Sequence, residues 1–226
     1  MTVSNLSTGM RPGVCLSTSR PTVPYVGQTI FETDTNKLLV WNGTVWVIPN
    51  SPAQNPAGLE FVSTTTFTTG TSVSLPTGTF TTSYTNYLLK VEITATAAVS
   101  ATLFYLRFRT SGTDKSTPSS YRTVMRQDRY AGDTTLVVSD GGAQAFIGYG
   151  YQGVADFAGE LTVTAPMLAR YTHAHYLGGG LGNLGGGAMN NTQIVWPSTD
   201  LFDSLTIYNT DSKNMTGSIS VYGYRI

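Results

Sequence analysis

From Gly58 onward, apolar and polar residues alternate one by one, in run after run. Val73 and Leu75 alternate with Ser72 and Ser74. Tyr87, Leu89, Val91 and Ile93 alternate with Leu88, Lys90, Glu92 and Thr94. Phe104, Leu106 and Phe108 alternate with Tyr105, Arg107 and Arg109. The same pattern recurs around Leu161 and Val163, Leu205 and Ile207, and Ile219 and Val221. A period of two sends successive side chains to opposite faces of a strand, so these runs describe sheets with one face in a core and the other in water. Turn chemistry separates them at Pro76-Thr77-Gly78, Ser111 to Asp114, Ser139 to Gly142 and Thr216-Gly217. No stretch of ten or more residues keeps a helical period; Ser120 to Arg129 comes nearest, and it is polar and arginine-rich enough to be a strand as well. The expectation is an all-β chain whose residues 58–226 form a β-sandwich or jelly-roll-like domain, ending on a strand tied into a sheet.

Composition agrees with that reading. Ser and Thr supply about a quarter of the 226 residues, and only 12% are charged. Helical surfaces are usually covered by Glu, Lys and Arg, so Thr, Ser, Asn and Gly are expected to cover this one. The 13 basic and 13 acidic residues balance, which gives no electrostatic reason to expect nucleic acid or an anionic membrane as partner. A net charge of zero also leaves little repulsion against self-association. Cys15 is the only cysteine and reads as a small apolar filler. Met1 to Met10 lacks the basic and apolar regions of a secretion signal, and no run of about 18 apolar residues would span a membrane.

The N-terminal quarter is organised differently. Residues 1–26 carry Pro12, Pro21 and Pro24 with few apolar positions, and read as an extended arm ordered only by a partner. Residues 27–48 read as a three-stranded meander: Thr29 to Glu32, a polar turn at Thr33 to Asn36, Lys37 to Trp41, then Asn42-Gly43 as a type I′ hairpin pair, and Thr44 to Ile48. Trp41 and Trp46 flank that hairpin. A unit of about 20 residues can hardly bury two indoles alone, so Phe31, Trp41, Asn42, Gly43 and Trp46 are candidates for attachment or oligomerisation. Residues 49–57, with three prolines, form a semi-rigid linker.

No catalytic or metal constellation emerges, and no cofactor is expected. His173 and His175 would share a strand face, but no cysteine or acidic cluster completes a metal shell. No Gly-x-Ser-x-Gly elbow supports a serine triad. Asp133, Asp140, Asp156 and Glu160 are the carboxylates to consider for glycan cleavage, and they read better as turn and strand-end residues. Gly178 to Gly187 lacks the Gly-Lys-Ser/Thr of a phosphate loop and reads as a flexible loop or a close contact with a neighbouring subunit. Arg107, Arg109, Arg122, Arg126 and Arg129, with Tyr105, Tyr121 and Tyr130, could form a nucleic-acid surface, but solvated strand faces or subunit salt links fit a neutral chain better. Tyr149, Tyr151 and Tyr176, beside glycines, are the candidates for contact with a surface glycan, because tyrosine offers a ring for stacking and a hydroxyl for polar contact.

Two segments carry a resemblance. Arg20-Pro21, Gly27-Gln28, Phe31, Glu32-Thr33-Asp34-Thr35 and the Trp41-Asn42-Gly43 hairpin closed by Trp46 resemble a module of bacteriophage tail-fibre and minor virion proteins, found near attachment or trimerising segments. Phe61 to Arg109, with Leu75-Pro76-Thr77-Gly78 and Tyr84-Thr85-Asn86-Tyr87, together with the ending Gly217 to Arg225 that closes on Gly223-Tyr224-Arg225, is similar to the C-terminal β-domain of marine and cyanobacterial phage fibre or appendage proteins. The resemblance implies a non-enzymatic virion structural protein, assembled in a host cytoplasm as a homotrimer. It would be attached to tail or capsid proteins through its N-terminus and would touch a host glycan or protein through its C-terminal domain. A capsid decoration or head-fibre protein that stabilises the shell is the alternative, and a glycan depolymerase is the alternative from another class.

Overall fold

The computed structural model describes residues 12–49, 58–98, 102–130, 132–150, 153–181 and 187–225. The chain is all-β and divides into two compact units, Met1–Pro56 and Ala57–Ile226. The linker expected at 49–57 lies outside the described residues apart from Pro49.

The first unit is one four-stranded sheet in chain order: β1 (Gly13–Cys15), β2 (Thr29–Glu32), β3 (Lys37–Trp41) and β4 (Trp46–Val47). The three strands of the meander are present, and β1 is an addition from the segment expected to be an arm. It runs parallel to β2, pairing Gly13 with Ile30 and Cys15 with Glu32. The arm expected at 1–26 is therefore tied down from residue 13, and residues 1–11 lie outside the described ones. The hairpin also differs from the expected two-residue type I′ turn. Only Gly43 has positive φ (102°), and four residues separate β3 from β4. The Asn42 side chain makes the loop instead, its Oδ1 accepting from the N–H groups of Thr44 (2.9 Å) and Val45 (2.8 Å).

The second unit is a sandwich of two antiparallel sheets. The larger has eight strands in the order β11 (Thr134–Gly142), β10 (Tyr121–Arg129), β15 (Gly187–Trp196), β14 (Thr172–Leu181), β13 (Gly153–Thr164), β7 (Asn86–Ala98), β17 (Met215–Arg225) and β5 (Gly58–Phe67). The smaller runs β12 (Ala145–Gly150), β8 (Thr102–Thr110), β16 (Ser204–Asn209) and β6 (Ser72–Ser74), with β9 (Thr113–Asp114) paired to β8. The large sheet curls, so that β12 packs against β10, β14 and β15. Between the sheets lie the inward positions that alternation marks: Tyr87, Leu89, Val91 and Ile93 from β7, and Phe104, Leu106 and Phe108 from β8, each at most 2% exposed.

Ser120 to Arg129 is a strand, and its period of two is disguised. Tyr121, Thr123, Met125 and Gln127 face inward, while Val124 faces out between Arg122 and Arg126. Two buried polar side chains on this face bond across the sheet or the sandwich: Gln127 donates to Asn190 (3.0 Å), and Thr192 Oγ1 donates to the Ile147 carbonyl (3.0 Å), whereas Thr123 Oγ1 has no hydrogen-bond partner.

The glycine run corrects another expectation in part. Gly178, Gly179 and Gly180 are not a loop; they lie in β14, Gly178 and Gly179 paired with strands on both sides and Gly180 with β15, and Gly178 pairs with Gly159 of β13, while residues 182–186 of the run lie outside the described ones. The missing side chains make room for Tyr176, whose ring lies over that glycine pair with its hydroxyl donating to the Ala158 carbonyl (3.1 Å). A Cβ on Gly178 would overlap both the Tyr176 hydroxyl and the backbone of Ala158. Backbone on one side cannot yield as a side-chain end can, so Gly178→Ala is expected to destabilise the sandwich by about 1–3 kcal/mol. Urea unfolding followed by circular dichroism checks this, and an unchanged midpoint would contradict the packing described.

Candidate functional site

In the first unit, alternation gives the sheet two apolar faces. One carries Ile30 and Leu39, both under 5% exposed, and the Glu32 side chain, 1% exposed. The Glu32 carboxylate is compensated from two sides: it pairs with Arg20 Nε and accepts from Thr35 Oγ1 (2.6 Å). Next to it, Asp34 accepts from Ser17 through both its N–H (2.9 Å) and its hydroxyl. These contacts hold the chain from Ser17 to Arg20 onto the β2–β3 turn and hold both carboxylates below their ordinary pKa range. For Glu32 the main cause is the Arg20 hydrogen bond, and for Asp34 the Ser17 hydroxyl.

The other face is open. Register places Phe31 opposite Leu38 and Val14, and Thr29 opposite Val40, which in turn pairs with Val47. Val14 (70%) and Leu38 (42%) are exposed, no charged residue belongs to these positions, and a pocket of about 470 Å³ opens beside Tyr25, Leu38 and Val40. Of the attachment candidates, Trp41 and Trp46 face each other across β3 and β4 as an edge-to-face pair, centroids 5.6 Å apart, and both are half-buried. Phe31 lies on the opposite face from them. Asn42 and Gly43 are exposed and shape the hairpin loop. The five residues therefore do not form one patch; the open face around Phe31 and the tryptophan pair are separate surfaces.

In the second unit, the outward face of the five-stranded sheet gathers the remaining aromatic and cationic side chains. Tyr105 pairs in register with Phe146 on one side and Tyr208 on the other, and its ring lies 5.3 Å and 5.8 Å from theirs. Tyr149 continues the row, 4.8 Å from Phe146. At the other end Arg107 stacks over Tyr208 at 4.8 Å and donates to the Gln144 carboxamide oxygen (2.8 Å), which the Tyr208 hydroxyl also reaches. Burial pushes the Tyr208 pKa up to about 12 against the opposing effect of Arg107, so its hydroxyl stays a donor at neutral pH. Arg109 has a counter-charge: its Nε lies 3.1 Å from Asp114, at ion-pair distance but without a hydrogen bond, and its other nitrogens donate to the carbonyls of Leu75 (3.2 Å) and Gly112. Asp114 also accepts from Thr206 Oγ1 (2.7 Å), which bonds Ser74 (2.8 Å). Arg107, Arg109, Asp114, Ser74, Thr206 and Tyr208 line a polar basin of about 540 Å³.

The three tyrosines proposed for surface contact separate. Tyr149 belongs to the aromatic row just described. Tyr151 lies outside the described residues. Tyr176 is corrected: it is fully buried, stacked on Phe157 at 4.6 Å, and its hydroxyl is held in the core, so it cannot touch a ligand. The arginines also separate. Arg107 and Arg109 lie on the small sheet, whereas Arg122 and Arg126 lie on the outer face of the large one, paired with Asp140 (2.9 Å) and Asp128 (3.0 Å). Among the glycan-cleaving candidates, Glu160 pairs with Lys90 and Asp156 accepts from Thr94 (3.0 Å). His175 bonds Asn191 (3.0 Å), and no cluster of three or more His, Cys, Asp or Glu residues able to hold a metal occurs among the described residues. Tyr208, Gln144, Asp114 and Thr206 carry no signal in the sequence, because only the pairing of β8 with β16, β12 and β9 brings them beside Arg107.

A carboxylate with a depressed pKa in the fold stabilises it above the unfolded value, 4.5 for Glu, and that contribution disappears as pH falls through the folded pKa. The first unit is therefore expected to keep its stability from neutral pH down to about 5 and lose it on further acidification. In a Glu32→Gln chain the loss below pH 5 should shrink. Tryptophan fluorescence of Trp41 and Trp46 in a Trp196→Phe background reads this, and an acid response identical in both chains would remove Glu32 as its source.

Comparison with known proteins finds no matching family model, no matching curated protein and no matching solved structure, so a functional reading rests on these two surfaces and on the sequence.

Proposed function

We propose that this chain is a non-enzymatic structural protein of a bacteriophage particle, a homotrimeric fibre or appendage. The first unit assembles and attaches it, and the β-sandwich contacts the host surface. The observation that carries the reading is the make-up of the first unit. Arg20, Glu32, Asp34 and Thr35, which carry the resemblance to virion attachment modules, are the residues that lock Ser17 to Arg20 onto the β2–β3 turn. That lock leaves an uncharged apolar sheet face exposed in a unit too small to bury it. Such a face suits a copy of itself, because bringing identical faces together meets no charge repulsion. The sandwich supports the outward role with an aromatic row and polar basin of the kind that sugars occupy.

Leu38→Asp puts a charge in the middle of the open face. Light scattering should read a trimer for the wild-type chain and a monomer for the variant, with the thermal transition of the sandwich unchanged. A wild-type monomer at micromolar concentration would contradict the assembly role. Electron cryo-microscopy of particles carrying the protein should place it on an appendage; density spread over capsid facets would favour a shell-stabilising decoration protein instead.

A further inference from the structure

Arg107 is a guanidinium in an unusual position. It is half-buried, and its Nε has no hydrogen-bond acceptor. Among the described residues no carboxylate lies within ion-pair distance of it, whereas Arg109, two residues along the same strand face, has Asp114. Its orientation is fixed from two sides, by the Tyr208 ring beneath it and by Gln144 at its Nη2. A cation removed from part of its hydration and given no counter-charge costs free energy, and a bound anion recovers it. Fixing the guanidinium beforehand lowers the ordering cost of such binding.

The surroundings narrow the kind of anion. The basin beside Arg107 is lined by small hydroxyls, Ser72, Ser74 and Thr206 among them, and by the ring of Tyr208. Asp114, on the same wall, is neutralised by Arg109 and presents acceptor oxygens. The net charge facing the basin is thus one positive unit. A polynucleotide would bring a phosphate with every residue against a single uncompensated cation, and the dianion of free phosphate would meet Asp114 as well. A pyranose ring bearing one carboxylate satisfies each feature. Its carboxylate meets Arg107, its hydroxyls exchange hydrogen bonds with the serine and threonine hydroxyls and Asp114, and its C–H edge packs beside Tyr208. From these contacts we propose that the basin on the outer face of the small sheet binds an acidic saccharide, a sugar unit carrying a single carboxylate, through Arg107. The proposal rests on the host-contact reading of the sandwich and gives that contact its chemistry.

The test is calorimetric titration of the full chain with a tetrasaccharide of galacturonic acid and with its carboxyl-reduced, neutral counterpart. The acidic sugar should bind about ten- to a hundredfold more tightly, the range expected for a hydrogen bond to a charged group. Arg107→Met should lose that preference while its thermal transition stays at the wild-type temperature. Should that variant fail to fold, Arg107→Lys, which keeps the charge but not the planar fork, should bind the acid more weakly than wild type and more tightly than the neutral sugar. Equal binding of the two sugars, binding of neither, or full acid binding by folded Arg107→Met would overturn the proposal. So would inorganic phosphate that displaces the acid at matched ionic strength and comparable concentration, since that marks a general anion site. Wild-type chain that adheres to host cells but ignores the uronate sinks the acidic-saccharide assignment alone. Chain that binds the uronate yet never adheres to cells keeps the site and sinks the host-contact reading.

Discussion

The second unit depends on the way a curled sheet closes over a second, smaller one. A column of rings crosses that gap: Phe104 of the small sheet stacks on Phe157 at 4.4 Å, and Phe157 stacks on Tyr176 at 4.6 Å. Tyr176 fits only because Gly178 and Gly159 sit side by side beneath it with no Cβ between them. The same device recurs at Gly223, where the Tyr84 ring occupies the space of a side chain, and at Gly148, where Asn190 does. A bulky side chain is matched by a glycine that leaves it room, and at Gly159 and Gly178 this lets the inner face of the curled sheet hold a full-sized ring at core density.

That pairing marks the limit of what the sequence reveals. Strands such as β7 and β8 are legible from their alternation, since Tyr87, Leu89, Val91 and Ile93, and Phe104, Leu106 and Phe108, all point one way while the charged residues between them point the other. β10 is not, because its inward face carries the polar residues Thr123 and Gln127, and its outward face carries Val124. The Gly178 to Gly180 run reads as loop for a related reason. Glycine in isolation signals freedom, and only the register of β13 against β14 turns it into a space for Tyr176. Exposure inverts in the same way: Tyr149 and Tyr176 look alike in sequence, yet one lies on an outer face and the other lies in the core.

The two candidate surfaces divide along the same line. The first unit's motif is local, its partners 3 to 17 residues apart, so Glu32, Asp34 and Thr35 stand out as a pattern in the amino-acid sequence alone. The basin is built by strands far apart in sequence. Arg107 meets Gln144 across 37 positions, and Thr206 meets Asp114 across 92. Alternation places Tyr105, Arg107 and Arg109 on one face, but it cannot say that one cation acquires a carboxylate and the other does not. That difference gives the surface its chemistry.

The parallel pairing of β1 with β2 has a mechanical side. Each later strand of the first unit's sheet reverses direction, so β1, β2 and β4 all run the same way. The chain therefore enters the unit at one end of the sheet and leaves it at the other. Tension along the chain slides β1 against β2 lengthwise and strains all their hydrogen bonds at once, where a hairpin pulled from adjacent ends would part them one by one. Just beyond β1, Ser17 on Asp34 and Arg20 on Glu32 act as side-chain rivets against the same slide. A unit of this size is weak against heat or acid, yet its topology lets it bear a load applied between its two ends.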